Sequence, residues 1–437
     1  MLWLYFEIAI AAISFISFAF YMYSAGTSLF FPTQKEDFTH SVAEVTVVIP
    51  VFNEDEALFR SVVESVRRNE VRFLVVGDRC LEPYKEITES RGGTFINNVM
   101  GPGKKGAIAT GISHVDTRFV LFLDSDAILP PGGVQSLVNN FGPTIGGCSG
   151  IIRVHRDGRG ISYSAEFVER SREVILRSMN AHGNVMILDG CCAMYRADLV
   201  RPFMLSDEFL KDTFAGKPVV TGDDRRLTSL VIRSGFKAIR DFSVKVEVPA
   251  PKNVKTYVRQ QVRWSRSGWL SFFRDIKNGT AMRAGGFYNV TLFYVYLVPL
   301  IMFALLALRL SLPFVWVITY RPQLFLHDPF GVLVKLTWFS IFSGFSVKDL
   351  GLIHFLRVLG TALAMVGASA FGIAISDTMI KERLKTFVYG MFAMMVMFIV
   401  NVYGLLTIWK QYSWMTREIP AGELELSGND PGKVVDF

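Results

Sequence analysis

The sequence predicts two parts, an α/β domain and a set of membrane-spanning helices. Hydrophobic residues make up 51% of the 437 residues and charged residues only 19%, which is too apolar for a purely soluble enzyme. Short β-branched runs alternate with mixed, charged stretches from Val45 to Val248, and this alternation is typical of α/β folds. Long apolar segments lie on both sides of that region.

The charge and the cysteines restrict the possible partners. The net charge is +7 and the pI is about 9.1, which suits anionic lipid head groups or a nucleotide diphosphate. Nucleic acid is the least favoured partner because the basic residues form no tract. The cysteines Cys80, Cys148, Cys191 and Cys192 have no CxxC spacing and no His at ligand spacing, which argues against a disulfide framework or a zinc site.

The first apolar segment, from Ile8 to Gln34, carries no formal charge. It is long enough to cross ~30 Å of hydrocarbon as a helix. No small-residue cleavage site follows its apolar part, so we expect an uncleaved transmembrane helix within residues 1–34.

Three buried strands are expected at the start of the next domain, which we place at residues 35–250. They are Val45–Val51, Phe73–Val76 and Phe119–Leu123, each followed by turn or polar residues. In open α/β sheets ligands bind beyond the carboxyl ends of the strands. Residues directly after these runs are therefore the first candidates for a site.

The chain becomes apolar again after Gly285. Strong candidate spans are Phe287–Leu308, Val358–Ile375 and Thr386–Ile408, while Val332–Phe345 is short and is interrupted by Lys335. This fourth segment either spans or lies in the membrane interface. We expect interfacial helices at 251–285, transmembrane helices at 286–410 and a C-terminal tail at 411–437.

Between these spans, Val347, Leu350, Ile353 and Leu356 recur at helical spacing, which predicts an amphipathic helix on the membrane surface. If the α/β domain and Trp414 lie on one side of the membrane, an even number of spans must separate them. Four spans are obtained if the short segment crosses. Two spans are obtained if neither the short segment nor one of the three strong candidates crosses.

The strongest local signal is FLDSDA, in which Asp124 and Asp126 close an apolar strand. Two carboxylates there are costly unless a cation compensates their charge. Their hard oxygens suit Mg²⁺ or Mn²⁺. An Asp-rich loop or a helix cap remains an alternative.

A second acidic pair, Asp223 and Asp224, precedes a stretch of helical periodicity that includes Leu227, Leu230 and Val231. A carboxylate close to another negative group can have a raised pKa and act as a general base. Helix capping is the alternative, because Asp is favoured at helix N-termini.

A glycine-rich turn, GPGKKGAIATGI, places Lys104 and Lys105 before a predicted helix. Backbone amides and lysines in such a turn can bind phosphate oxygens. The turn lacks the GxxxxGK[ST] spacing of nucleotide-hydrolysing loops, which argues against an ATPase.

The segment RQQVRWSRSGW lies between the α/β domain and the apolar C-terminal part. On a helix Gln260, Arg263 and Trp264 share one face. An amide, a guanidinium and an indole together suit a pyrophosphate and a stacked sugar. An interfacial helix with a snorkelling Arg and an anchoring Trp is the alternative.

In this order the motifs resemble the family 2 glycosyltransferases of the cellulose synthase and hyaluronan synthase type. The similarity runs from VVIPVFNE through VVGDRC, PGKKGAI, DSD, GDDR and QQVRW, and it resumes at YGLLTIWKQYSWMTR. The resemblance implies a cytosolic, GT-A-like nucleotide-sugar-binding domain, interfacial helices and a transmembrane helix bundle in the cell membrane. It also implies a nucleotide-diphosphate sugar donor and a Mn²⁺ or Mg²⁺ ion. An Asp carboxylate can accept from uracil or guanine, so we expect a UDP- or GDP-sugar, together with membrane lipids around the helices and no nucleic acid.

The resemblance assigns roles to individual residues. Asp78 contacts the base of the donor, Lys104 lies near the diphosphate or ribose, and Gln260, Arg263 and Trp264 bind donor or sugar. The metal ligands are Asp126 and Asp124, the latter also facing the nucleotide. Asp224 is the general base of an inverting displacement.

The acceptor segment departs from the hyaluronan synthases. ILDGCCAMYR has Gly190, Cys191 and Cys192 where that group has Ser-Gly-Pro-Leu, and Met415 stands where it usually has Gly. We therefore expect a lipid-linked oligosaccharide or a growing polysaccharide as acceptor, without assigning hyaluronan. A catalytically inactive membrane scaffold with a transferase-like domain is the alternative.

Overall fold

The computed structural model describes residues 2–30, 39–342 and 351–411. Its strands are β1 (Val45–Val51), β2 (Arg72–Gly77), β3 (Thr94–Asn97), β4 (Phe119–Leu123), β5 (Ile145–Val154), β6 (Cys192–Arg196), β7 (Thr213–Phe214), β8 (Lys217–Pro218) and β9 (Lys237–Val248).

The helices fall into two groups, those of the α/β part and those of the apolar part. The first group is α2 (Glu56–Arg67), α3 (Tyr84–Glu89), α4 (Lys104–Ser113), α5 (Gly133–Val138), α6 (Gly160–Ala181), α7 (Ala197–Met204), α8 (Asp207–Leu210), α9 (Asp223–Arg233), α10 (Val254–Lys277) and α11 (Thr280–Ala284). The second is α1 (Leu2–Phe30), α12 (Gly286–Tyr320), α13 (Pro322–His327), α14 (Pro329–Phe342), α15 (Leu352–Thr378) and α16 (Arg383–Leu406).

The main sheet has seven strands in the order β3-β2-β1-β4-β6-β5-β9. Strands β1 to β4 are parallel neighbours, whereas β6 runs antiparallel to both β4 and β5. Leu123, the last residue of β4, pairs with Cys192, the first residue of β6. The segment before β6 therefore lies at the carboxyl end of β4, where the parallel strands also end.

Both faces of the sheet are covered, as the continuous apolar strands require. All seven residues of β1 are buried. Val47 and Ile49 share an apolar cluster with Phe59 of α2, and Val48 shares the opposite cluster with Ile108 of α4. The predicted α/β fold is confirmed, with β1 and β4 at the predicted bounds.

Among the described residues, four segments are long and apolar enough to cross a membrane: Ile8–Phe30, Gly286–Leu305, Val358–Thr378 and Arg383–Leu406. Helix α14 is shorter, at 14 residues. Ile353 and Leu356 lie in the first turns of α15. Val347 and Leu350, with which they were predicted to form an amphipathic helix, lie outside the described residues, as do Trp414 and Met415.

Helices α1 and α15 pack side by side and run in the same direction. A methyl group added to Gly360 would lie 3.5 Å from Cα of Ala11, and one added to Gly367 would lie 3.0 Å from Cα of Phe18. Glycine allows this close approach of two apolar helices. The carboxyl-terminal ends of both helices pack on α6, where Ala25 and Ile375 share a cluster with Val174.

Candidate active site

Four chain segments meet at the carboxyl end of β4. The Lys104 ammonium donates a hydrogen bond to Asp124 Oδ1 and another, of 3.3 Å, to the Gly190 carbonyl oxygen. A methyl group added to Gly190 would lie 3.3 Å from Cβ of Asp224 and 3.4 Å from Lys104 Nζ. The structure thus brings together Lys104, Asp124, Gly190 and Asp224, which are widely separated in the sequence.

Each of these side chains is placed by the start or end of a regular element. Lys104 is the first residue of α4, after Gly103 at the N-cap with φ +88°. Asp124 directly follows β4, and its amide donates to the carbonyl of Cys191. Asp224 lies in the first turn of α9, after Gly222 at the N-cap with φ +86°. Glycine suits both turns because other residues rarely adopt positive φ.

The environment of Asp224 raises the pKa of its carboxyl group above that of an ordinary Asp. Burial and the neighbouring Asp223 carboxylate raise the pKa of Asp224 to about 6, although the Arg225 amide and the Lys104 ammonium oppose this shift. The Arg225 amide donates a 2.7 Å hydrogen bond to Asp224 Oδ1. A carboxyl group with such a pKa is ionised at neutral pH and is a stronger base than an ordinary Asp.

If Asp224 is the predicted general base, the catalysed reaction should slow as the pH falls through about 6, because a base must be unprotonated to accept a proton. We expect kcat/KM to show this acidic limb between about pH 5 and about pH 8. Asp223→Asn removes a charge that raises the pKa of Asp224, so the limb should move to lower pH. An unchanged limb in that variant would contradict the assignment of the limb to Asp224.

Asp78 holds the glycine turn that precedes Lys104. Its Oδ1 accepts a 2.9 Å hydrogen bond from Asn98 Nδ2, and its Oδ2 accepts one of 2.9 Å from the Gly103 amide. Asp78 is 5% exposed. It therefore joins the carboxyl end of β2 to the start of α4, at the edge of the sheet where a nucleotide base was predicted to bind.

The two lysines of the glycine turn have different environments. Burial disfavours the charge of Lys104, but Asp124, Asp223 and Asp224 raise its pKa. Lys105 is 8% exposed, and its ammonium donates to the Val219 carbonyl and lies 3.4 Å from Asp212. Lys105 thus holds the segment before α9, and only Lys104 meets the acidic groups at the end of β4.

Comparison with known proteins places these residues in a family. Residues 46–203 match the model described as glycosyl transferase family 2. The chain contains a family 2 glycosyltransferase domain. The match includes Asp78, Lys104, Asp124 and Gly190 but stops before Asp224.

The curated relatives match about half of the chain. An N-acetylglucosaminyltransferase of Azorhizobium caulinodans is 28% identical over an alignment of 239 residues, and the match covers 51% of this chain and 59% of the relative. A hyaluronan synthase of Streptococcus pyogenes is 26% identical over an alignment of 254 residues, and the match covers 53% of this chain and 58% of the relative. The chain thus spans less than two thirds of these relatives. The predicted resemblance to the hyaluronan synthase type is confirmed.

A solved structure has the same fold over most of the chain. A mannosyltransferase from Pyrobaculum calidifontis, in complex with GDP-Man and Mn²⁺, superposes with a TM-score of 0.54. The superposition covers 92% of this chain and 99% of that one, at 16% sequence identity. At this identity the likeness concerns the fold alone, and it extends from the transferase domain to the apolar helices.

The carboxylates after β4 fit a divalent cation. Asp124 and Asp126 are partly exposed, whereas Ser125 between them is buried and donates a 3.0 Å hydrogen bond to Glu54 Oε2. In the part of the chain that the structure describes, no group of three or more His, Cys, Asp or Glu could hold a metal ion. Mg²⁺ and Mn²⁺ retain waters and bind substrate phosphates, so two carboxylates are a suitable protein contribution.

The predicted face of α10 adjoins the transferase domain. Gln260, Arg263 and Trp264 are all partly exposed, while Gln261 and Val262 between them are buried. The guanidinium of Arg172 lies 5.9 Å from the centre of the Trp264 ring. Gln260, Arg263 and Trp264 thus form one half-exposed face of α10, and Trp264 contacts α6.

The two cysteines before and at the start of β6 differ in their surroundings. Cys191 is partly exposed beside Gly190, but Cys192 is 1% exposed and belongs to the apolar cluster under β4. Burial raises the pKa of the Cys191 thiol and raises that of Cys192 to about 12. The Cys192 side chain thus lies in the core, whereas Cys191 is accessible beside Gly190, and acceptor binding by either cysteine stays a prediction.

Asp189, which fixes the segment at Gly190, was not predicted from the sequence. Asp189 is 5% exposed and lies 2.8 Å from Arg172 and 2.7 Å from Arg240. Burial alone would raise its pKa, but these two guanidinium groups lower the pKa to about 2. The signal was a single carboxylate within an apolar run, which needs a buried partner, although the sequence does not identify the two arginines.

Proposed function

We propose that this protein transfers a hexose from a UDP- or GDP-sugar to a glycan acceptor held at the membrane, with inversion at the anomeric carbon. The proposal rests on the meeting of Lys104, Asp124 and Asp224 around Gly190. The Lys104 ammonium, which can bind phosphate oxygens, lies there next to Asp224, whose pKa is raised. Displacement of a nucleotide diphosphate requires such a pair. The named relatives support a glycan as the acceptor.

In this mechanism Asp224 removes the proton of an acceptor hydroxyl while that oxygen attacks the anomeric carbon. The bond from this carbon to the nucleotide diphosphate breaks in the same step, so no covalent sugar intermediate forms. Lys104 and Arg263 stabilise the negative charge that develops on the departing phosphate. Gln260 and Trp264 orient the donor and the sugar.

The donor and the cation would bind at the carboxyl ends of the parallel strands. Asp78 lies where the base would bind, and Asp124 and Asp126 would hold Mn²⁺ or Mg²⁺. Such an ion neutralises charge on the leaving diphosphate. The fold neighbour solved with GDP-Man and Mn²⁺ is consistent with this chemistry.

The acceptor is either a lipid-linked oligosaccharide or a growing polysaccharide, and Gly190 and Cys191 line the place where its hydroxyl enters. The long apolar helices support a membrane location, and we propose that this membrane is the cell membrane. The catalytic domain lies on the cytoplasmic side, where nucleotide sugars are made.

A panel of nucleotide sugars tests the proposal with the purified full-length chain. We expect release of nucleotide diphosphate from one UDP- or GDP-sugar, almost complete loss of release after chelation by EDTA, and its return when Mn²⁺ or Mg²⁺ is added in excess. Asp116→Asn is a suitable control because its carboxylate is exposed and forms an ion pair with Arg72 on the surface.

Folded protein that releases no nucleotide from any donor would favour the inactive scaffold instead. Turnover that is unaffected by EDTA would contradict a role for a cation at Asp124 and Asp126, while leaving Asp224 as the base.

Product length separates the two kinds of acceptor. We expect purified enzyme with its donor either to extend a polysaccharide or to add a single sugar to a lipid-linked acceptor. Long products visible by gel filtration indicate a processive enzyme, and a single mass increment on a lipid acceptor indicates one addition. Both results are compatible with the site chemistry, so this measurement concerns the acceptor only.

A further inference from the structure

Helix α16 is apolar enough to be a transmembrane helix, but its first turn is attached to the transferase domain. Glu382, directly before the helix, accepts a 2.9 Å hydrogen bond from the Tyr163 hydroxyl of α6. The Lys385 ammonium donates a 3.0 Å hydrogen bond to the same hydroxyl. Arg156 donates to the Lys381 carbonyl. The amino-terminal end of α16 therefore lies among polar groups of the domain.

The other end of α16 is attached to the same domain. The Val220 amide donates a 3.1 Å hydrogen bond to the Gln411 carbonyl, and the Thr221 hydroxyl donates one of 3.0 Å to Gln411 Oε1. Arg266 of α10 donates a 3.0 Å hydrogen bond to the Lys410 carbonyl. These contacts lie next to Gly222 at the start of α9, close to the candidate active site.

The domain also contacts α16 between its ends. The Ser164 hydroxyl donates to the Tyr389 carbonyl, and a methyl group added to Gly390 would overlap the ring of Phe167. Further along, the Ser265 hydroxyl donates to the Val400 carbonyl, and Trp269 Nε1 donates to the Asn401 carbonyl. The helix thus lies along α6 and α10 for its whole length.

These contacts at both ends of α16 are incompatible with a helix that crosses the membrane. Helix α16 has 24 residues and is about 36 Å long, whereas the hydrocarbon layer is ~30 Å thick. If the helix crossed, Tyr163 and Thr221 of one folded domain would lie on opposite sides of the membrane. Both ends instead meet polar groups of that domain, so both lie on one side.

The face of α16 that points away from the domain is apolar. Exposed side chains recur every three or four residues, and the most exposed are Leu384 at 79% and Met391 at 77%. Basic residues Arg383, Lys385 and Lys410 lie near the two ends, and Trp409 is 44% exposed. An apolar face with basic and aromatic residues at its ends is typical of helices that lie in the membrane interface.

We propose that α16 lies in the plane of the membrane and does not cross it. Its outward face is buried among lipid acyl chains and consists of Leu384, Val388, Met391, Met395, Ile399 and Leu406.

With α16 in the plane of the membrane, the number of spans after the transferase domain is even, as is required if the domain and the C-terminal tail lie on one side. Helix α12 then leaves the domain side, and α15 returns beside α1, whose carboxyl-terminal end also packs on α6. Two spans separate the transferase domain from Gln411, and α14 does not cross.

Depth measurements in reconstituted bilayers test this placement without any need for activity. A nitroxide-bearing unnatural side chain is introduced singly at outward positions of α16 in the full-length chain, which leaves the native cysteines unchanged. Its depth is obtained from collisions with oxygen, which is lipid-soluble, and with a water-soluble nickel chelate. Helix α15 is the internal control, with probes at its exposed positions Val358, Met365 and Ile373.

We expect all α16 probes to report nearly the same shallow depth, while the α15 probes differ in depth by up to about 22 Å. A gradient of up to about 33 Å from Leu384 to Leu406 would overturn the proposal. Probes shielded from both reagents would also overturn it, because a second protein surface would then cover the face.

Discussion

Replacing Asp224 by Asn should lower kcat by about 10²–10⁴-fold while donor binding and folding are kept. The amide has nearly the same size as the carboxylate, and its oxygen can still accept the hydrogen bond of the Arg225 amide. Only the ability to accept a proton is lost. Turnover with the identified donor gives kcat, and calorimetric titration gives the donor affinity. Near-normal kcat would exclude Asp224 as the general base.

The stability of the Asp224→Asn variant should not fall, and the direction of this change follows from the pKa of Asp224. Burial and Asp223 raise the pKa of Asp224 in the folded state to about 6, above its unfolded value. The group therefore contributes stability at a pH below the unfolded pKa, and this contribution is lost as the pH rises through the folded pKa. Above about pH 6 a charged Asp224 opposes folding, so Asn should leave the melting temperature unchanged or higher.

The neighbouring acid gives a matched comparison. Asp223→Asn removes the adjacent carboxylate without removing the base, so kcat should stay near that of the unsubstituted enzyme well above about pH 6. A large loss in both variants, with equal loss of melting temperature, would indicate a structural role for the acidic pair in place of base catalysis.

The sequence predicted the central strands well because their boundaries have clear physical causes. Val45–Val51 is apolar except for Thr46 and Phe119–Leu123 is apolar throughout, and they form β1 and β4 at those bounds. The strand ends in turn predicted where Asp124 lies. The acidic pair predicted that one carboxylate could have a raised pKa, and the family resemblance named Asp224 as the base. Asp223 does raise the pKa of Asp224.

Contacts between distant segments could not be predicted in the same way. Nothing in the glycine turn distinguishes Lys104, which meets Asp124, from Lys105, which is held by Val219 and Asp212. The core position of Cys192 follows from its pairing with Leu123 in the antiparallel strand. Apolar composition alone also does not tell a helix that crosses the membrane from one that lies on the domain.

A second large effect, on stability, is expected when Arg225, the residue after Asp224, is replaced. Arg225 is 6% exposed, and its guanidinium lies 3.1 Å from Asp275, which is 3% exposed on α10. Asp275 also accepts a 3.0 Å hydrogen bond from the Tyr288 hydroxyl at the start of α12. This buried group connects α9, which contains the candidate base, with α10 and with the first apolar helix after the domain.

Arg225→Met should lower the free energy of unfolding by about 3–5 kcal/mol, because it leaves the Asp275 carboxylate buried without a counter-charge. Adding Asp275→Asn should recover a large part of this loss, since the amide is neutral and can still accept the Tyr288 hydroxyl. Arg72→Met is the control, because its ion pair with Asp116 is exposed and should contribute less than about 1 kcal/mol. Chemical unfolding of the detergent-purified variants measures these differences.

Activity in the same variants separates support of the fold from support of the base. The hydrogen bond to Asp224 comes from the backbone amide of residue 225, which the Met substitution retains. The double variant should therefore regain turnover together with stability, because α9 again packs against α10 without an unpaired charge. If stability returned but turnover did not, the Arg225 guanidinium itself would be required near the reacting groups, and its role would extend beyond holding the helix.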